Sequence, residues 1–203
     1  RMIGAGISFR AVETAGPWLD IVYPWDILSL NDYILGSLKP ALGGIVEKGT
    51  VIKGIVAIGD GGLIRSGCYI NGPALVGQGC TLGPSVVIGA DVSLGDNVSI
   101  GPFSVIENCV IGNDVSIGPG AVIQDSVIDS GCRIGANFNA VSGLAEIRIA
   151  GEFHRLDTGT MIGCNCKIAS GVVAMPGNIL GNGSRVQALK VITGNIADGS
   201  QVV

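Results

Sequence analysis

The sequence predicts an all-β fold, a parallel β-helix built from hexapeptide repeats, and three observations carry that prediction. From Val46 to Ile106 an aliphatic residue recurs at every sixth position, through Ile52, Ile58, Ile64, Ile70, Val76, Leu82, Ile88, Leu94 and Ile100. The residue four places after each is mostly small: Thr50, Val56, Gly62, Cys68, Ala74, Cys80, Val86, Val92, Val98 and Ser104. Glycine is abundant, 34 of 203 residues, and falls at recurring places in the hexads. A six-residue period fits neither an amphipathic helix nor an isolated alternating strand. It fits a solenoid in which each hexad is one flat side of a coil and each corner needs tight backbone. The large aliphatic and the small residue then both point inward.

Composition agrees with such a core. Apolar residues make up 47% of the chain but aromatics only 4%, which suits stacked Ile and Val layers better than a bulky centre. Net charge is −4 and no basic run occurs, so a nucleic-acid surface, which needs clustered cations, is set aside. No apolar run approaches the roughly 18 residues of a membrane span, and no signal peptide is recognisable, which points to a cytoplasmic protein. Of the six cysteines, Cys68, Cys80, Cys132 and Cys166 occupy the small inward slot, and Cys109 does so when counted back from Ile111. Only Cys164 lies off it. Small buried thiols in a reducing compartment are ordinary core residues, so neither disulfides nor a metal site is expected of them.

In chain order, residues 1–35 form a short strand–helix segment holding Phe9, Trp18, Tyr23, Trp25 and Tyr33, more than half of the aromatics. Ile3 to Val12 reads as a strand, Gly16-Pro17 as a turn, and Trp18 to Ile21 as another short strand. Pro24 opens a helix running from Trp25 to Leu35, with Asp26 favourable in its first turn and Gly36 as its stop. Residues 36–44 connect it to the column. The main β-helix spans 45–139, with two hexads one residue short, Ile106 to Ile111 and Ile123 to Ile128. Asn97, Asn108, Asn113 and Asn137 fall near corners, where Asn tolerates left-handed backbone. The period breaks over 140–160, and interruptions of a solenoid usually carry function or an interface. Hexads resume over 161–203, for about seven coils in all. The opening on Arg1 inside an apolar stretch predicts a piece of a longer polypeptide.

Residues 16–31 read Gly-Pro-Trp18-Leu-Asp20-Ile-Val-Tyr-Pro24-Trp25-Asp26-Ile-Leu-Ser-Leu-Asn31. This resembles the G-x-W-x-D-I-x-x-P-W-D-L-L-x-x-N segment that closes the catalytic domain of sugar-1-phosphate nucleotidylyltransferases. Its continuation into hexads resembles the archaeal two-domain members, the glucose-1-phosphate thymidylyltransferases and the bifunctional nucleotidylyltransferase/acetyltransferases. Asn137-Phe138-Asn139-Ala140-Val141-Ser142 and Met175-Pro176-Gly177 are similar to family patterns around the interruption. The resemblance implies a left-handed β-helix, a homotrimer, and a parent enzyme that joins a nucleoside triphosphate to a sugar 1-phosphate with Mg²⁺. Asp20 matches the Asp that helps hold that metal, while the nucleotide loop is expected upstream of this chain. In this chain the β-helix is then expected mainly to assemble the trimer and place the catalytic domain.

The resemblance also implies an alternative activity, acetyl transfer from acetyl-CoA to an amino-sugar phosphate by a catalytic His. The family's P-H-x-x-Y segment here reads Gly118-Pro119-Gly120-Ala121-Val122, with neither His nor Tyr. The one histidine, His154, lies in the interruption, with Glu152 or Asp157 near enough in sequence to orient it as a general base. Lys167, Arg185 and Lys190 are the candidate contacts for the phosphates of acetyl-CoA. A bare structural solenoid with no enzymatic parent is the third reading.

Overall fold

The computed structural model describes residues 10, 12–13, 18–149 and 151–203. The strand expected over Ile3 to Val12 and the turn at Gly16-Pro17 fall largely outside them. Trp18 to Ile21 is exposed and carries no strand, because no described segment offers it a partner.

The hexads fold into a three-sided prism of parallel strands, the left-handed β-helix implied above. The first side stacks Leu42, Ile58, Val76, Leu94, Ile111, Ile128, Ile162 and Leu180 in register. The second stacks Val46, Ile64, Leu82, Ile100, Ile117, Ile134, Ile168, Val186 and Val202. The third stacks Ile52, Ile70, Ile88, Ile106, Ile123, Ala140, Ala174 and Ile192. The second side has nine strands, so the prism has nine turns rather than about seven. The extra turns lie at the ends, where the six-residue period lapses. Ala41–Leu42 already pairs with Ala57–Ile58 inside the expected connection, and Ile196 bridges Leu180 only four residues after Ile192.

Both inward positions are buried as the pattern requires. Ile64, Ile70, Leu82, Ile88 and Ile106 are fully enclosed, as are the small residues Ala74, Cys80, Val86 and Val98. The third side's aliphatic shrinks to Ala140 and Ala174 where Phe138, fully buried, takes a slot that elsewhere holds a small residue. Core volume is thereby kept near constant, as close-packed interiors demand. The buried hydroxyls are satisfied: Ser104 Oγ donates to the Gly101 and Gly118 carbonyls, and Ser126 Oγ donates to that of Gln124.

The two short hexads have a local cause. Val105–Ile111 and Val122–Ile128 are continuous strands that turn a corner through one residue each, Asn108 at φ 46° and Asp125 at φ 47°. They pair along their whole length, Cys109 opposite Ser126, and Asn108 Nδ2 donates to Asp125 Oδ1 at 2.6 Å. Asn97 and Asn137 are also left-handed as expected, whereas at Asn113 the left-handed residue is its neighbour, Asp114. Asn113 instead accepts the Asp96 amide through Oδ1, part of a column of side-chain oxygens that cap amides one rung above.

The helix forms over Asp26–Leu35, with the Asp26 carboxylate accepting the amides of Val22 and Tyr23 at 2.9 and 2.8 Å. Gly36 is right-handed at φ −59°, so the helix ends by tightening its last turn, not by a left-handed cap. The interruption is an antiparallel hairpin, Gly143–Ile149 against Glu152–Thr158, turning at Gly151 (φ 90°).

Replacing a fully enclosed aliphatic should cost far more than replacing its outward neighbour. Ile88→Ala is expected to lower unfolding free energy by roughly 2–5 kcal/mol and Val87→Ala by less than about 1 kcal/mol, read from urea midpoints.

Candidate functional site

Two places outside the core gather polar chemistry. One is the junction between the helix, the prism and the hairpin. Asn31, nearly buried, donates from Nδ2 to the Asp91 carbonyl at 2.8 Å and accepts the Ser93 hydroxyl at 2.5 Å. Leu35, 1% exposed, closes the far end of the helix against the prism. Asp91 is partly desolvated here and lies near Asp32; both effects hold its carboxyl above the ordinary range.

At the near end, Tyr23 and Trp25 stack with ring centres 4.8 Å apart and planes 17° apart. The His154 imidazole lies against both, 4.2 Å from Tyr23 and 5.5 Å from Trp25. Tyr23 donates its hydroxyl to Glu152 Oε2 at 3.1 Å, and the same oxygen stands 3.8 Å from His154 Nε2. Partial desolvation, then the hydrogen bond to Glu152 and its charge, raise the Tyr23 phenol above its ordinary range. His154 Nε2 is buried with no hydrogen-bond partner among the described residues. A general base needs an open lone pair facing its substrate. Here the His154 side chain is 22% exposed, with Tyr23 and Trp25 against its ring and Glu152 beside Nε2, so it joins the hairpin to the linker. Asp157, the other candidate orienting group, sits three residues along the strand opposite Leu144, away from this cluster. The aromatic partners in the linker were not expected, because the 129 residues separating Tyr23 from Glu152 leave no local signal.

The second place is on the second side of the prism. Arg133, Lys167 and Arg185 are outward and exposed, and they stack in direct register on successive rungs, with Ser116 before them and Gln201 after. A shallow groove of 690 Å³ runs beside them, lined also by Gly135, Ala169, Gln187 and Val203. Two of the three expected phosphate contacts, Lys167 and Arg185, therefore meet. Lys190, half-buried, does not line this groove. Arg133 was missed because it lies 34 residues from Lys167, a distance set by the inserted hairpin.

Asp20 is exposed, and among the described residues no cluster of His, Cys, Asp or Glu is suited to a metal ion. The described residues therefore do not by themselves form a Mg²⁺ site. The five slot cysteines are buried and Cys164 is partly exposed, as read from the sequence. Burial pushes the Cys109 thiol up to about 12, and Cys132 is raised by its hydrogen bond with Cys166 and then by desolvation.

Residues 70–152 match the family model described as the GMPPB C-terminal domain. The bifunctional protein GlmU of Methanococcus vannielii is 42% identical over 50 residues, 25% of this chain and 12% of that protein. GlmU of Methanocaldococcus jannaschii is 38% identical over 52 residues, 26% of this chain and 13% of that protein. The matches thus cover about an eighth of the length of these curated relatives. The UDP-N-acetylglucosamine acyltransferase LpxA from Bacteroides fragilis 9343 superposes with a TM-score of 0.51 at 20% identity, covering 77% of this chain and 68% of that one, a likeness of fold alone. The architecture is that of a hexapeptide-repeat left-handed β-helix. These likenesses support a C-terminal hexapeptide-repeat domain of the nucleotidylyltransferase type, shared over residues 70–152 with the GMPPB C-terminal family model and over about 50 residues with GlmU.

Two expected outcomes check the junction and the thiols. His154→Ala should raise amide hydrogen exchange across residues 22–30 at least tenfold, while His154→Phe, which keeps the stacking, should leave it near wild type. Iodoacetamide at pH 8 should label Cys164 alone in the folded protein, with the other five reacting only on unfolding.

Proposed function

We propose that this domain assembles its parent enzyme as a homotrimer and fixes the position of a catalytic domain preceding it, in a cytoplasmic transferase that makes a nucleotide sugar from a nucleoside triphosphate and a sugar 1-phosphate with Mg²⁺. The observation that carries this reading is the seating of the W-x-D…P-W-D segment. Asn31 and Leu35 anchor the helix at one end, and the hairpin clasps Tyr23 and Trp25 at the other. A segment held at both ends transmits orientation, where a free linker would not. Trimer assembly is supported by the third side's outward column, Val51, Val87, Val122 and Val191, which remains exposed along the prism. Three such prisms around a threefold axis form a closed arrangement.

Acetyl transfer from acetyl-CoA to an amino-sugar phosphate is the alternative. It calls for a base open to substrate, and the packing of Tyr23 and Trp25 against His154 speaks against that residue supplying one.

Light scattering should give three copies per particle at micromolar concentration; a stable monomer would overturn the assembly reading. With acetyl-CoA and glucosamine 1-phosphate, release of free thiol should not exceed background. Turnover that survives His154→Ala would assign the transfer to another group.

A further inference from the structure

The chain has a single histidine, and it stands where the hairpin meets the entering segment. Its Nε2 is withdrawn from solvent yet has no hydrogen-bond partner among the described residues. A buried polar atom left unpaired is rare in folded proteins because it costs free energy. The nearest acceptor, Glu152 Oε2, is 3.8 Å away, too far for a hydrogen bond. A neutral ring that turns its lone pair toward a carboxylate gains nothing by closing that gap, since both atoms are acceptors. An imidazolium carries N–H on both nitrogens, so one added proton supplies the missing donor. The Glu152 side chain is 72% exposed and free to move in. Tyr23 already donates its hydroxyl to the same oxygen at 3.1 Å. One carboxylate oxygen would then gather a donor from the linker and another from the hairpin.

The rings beside His154 favour the same change. Tyr23 and Trp25 lie 4.2 and 5.5 Å from its centroid, tilted by 55° and 53°. A cation within about 6 Å of an aromatic centroid is attracted by the ring's π-electrons. The other titratable groups on the three elements packed here do not oppose it. On the linker, the Asp26 carboxylate is engaged by the amides of Val22 and Tyr23. The Tyr23 phenol, raised by desolvation and then by Glu152, stays neutral across the range in which imidazoles titrate. On the hairpin, Ile147 is the residue opposite His154, while Arg148 and Arg155 are one step out of phase and so occupy the far face, Arg148 over the Phe153 ring. In the prism under the hairpin's base, Asp125 is taken up by Asn108 and Ser142.

We propose that this joint is a pH-dependent clamp, in which protonation of His154 draws Glu152 in and tightens the hairpin on Tyr23 and Trp25. Only the charged ring gains a carboxylate and two aromatic partners. The clamp is therefore tight toward pH 5 and slackens as pH rises toward about 8. For a catalytic domain preceding the helix, this makes its seating on the prism a function of pH. That consequence rests on the positioning role proposed above; the clamp itself stands without it.

Hydrogen exchange of the whole chain over residues 22–30 tests the proposal, with rates corrected for the intrinsic pH dependence of amide exchange. Wild type should exchange at least about threefold more slowly at pH 5.5 than at pH 8. The change should follow the same pH interval as the proton resonances of the one imidazole. His154→Phe, which stacks but takes up no proton, should match wild type at pH 8 and show no such difference. Glu152→Gln, altered at an exposed side chain, should lose most of it. Equal corrected rates at both pH values, or a difference that persists undiminished in either variant, would overturn the clamp. Flat rates in a trimeric particle would remove this inference and leave the assembly reading in place, and a monomer whose rates still follow pH would do the reverse.

Discussion

Everything in this molecule depends on one constraint, the in-register stacking of inward aliphatics from rung to rung. Each rung hydrogen-bonds its backbone to the next, as in Tyr69 N–H to the Val86 carbonyl and Val87 N–H to that of Ser104. The same step stacks Ile70, Ile88 and Ile106. Backbone pairing and apolar burial are therefore satisfied by a single translation, and neither is available to a rung standing alone. Slipping one residue would turn every inward side chain outward. The outer surface is consequently a readout of register: any residue repeated at the coil period forms a straight column, whether of valine, of cap oxygens or of cations.

That property links the fold to the proposed roles. A column of exposed valine offers an extended flat side to a second copy. The helix at the entrance makes no use of it. Its contact is specific, Asn31 meeting the backbone of Asp91 at a corner, and the hairpin reaches back to hold Tyr23 and Trp25. Three aromatic or imidazole rings and one carboxylate, gathered from sequence positions far apart, tie the least periodic part of the chain to the most periodic.

The prism was legible in the sequence because its period is local: Val46 and Ile52 already announce it, and the inward cysteines follow from the same count. The end turns were less legible, since Leu42 and Ile196 are spaced by four residues and not six. The helix was placed within a residue by Asp26 and Gly36. The junction was not legible, because contact between Tyr23 and Glu152 is a product of three-dimensional closure and leaves no trace in spacing. His154 is marked in the sequence as a lone histidine in an interruption, but residue type alone does not reveal the two aromatic rings packed against it. The cation column was half legible, with Lys167 and Arg185 one full turn apart but Arg133 displaced by the inserted hairpin.

The two short hexads and the hairpin share a feature beyond their local geometry. Asn108, Asp125 and the hairpin all fall at the edge where the third side gives way to the first, as does the four-residue step from Ile192 to Ile196. From Val46 onward the other two edges keep an unbroken count of six. Length variation is thus confined to a single seam, the one over which the entering helix also lies. A solenoid organised this way tolerates editing along that seam while the remaining two sides keep time, so new loops, and with them new partners, have one permitted line of entry.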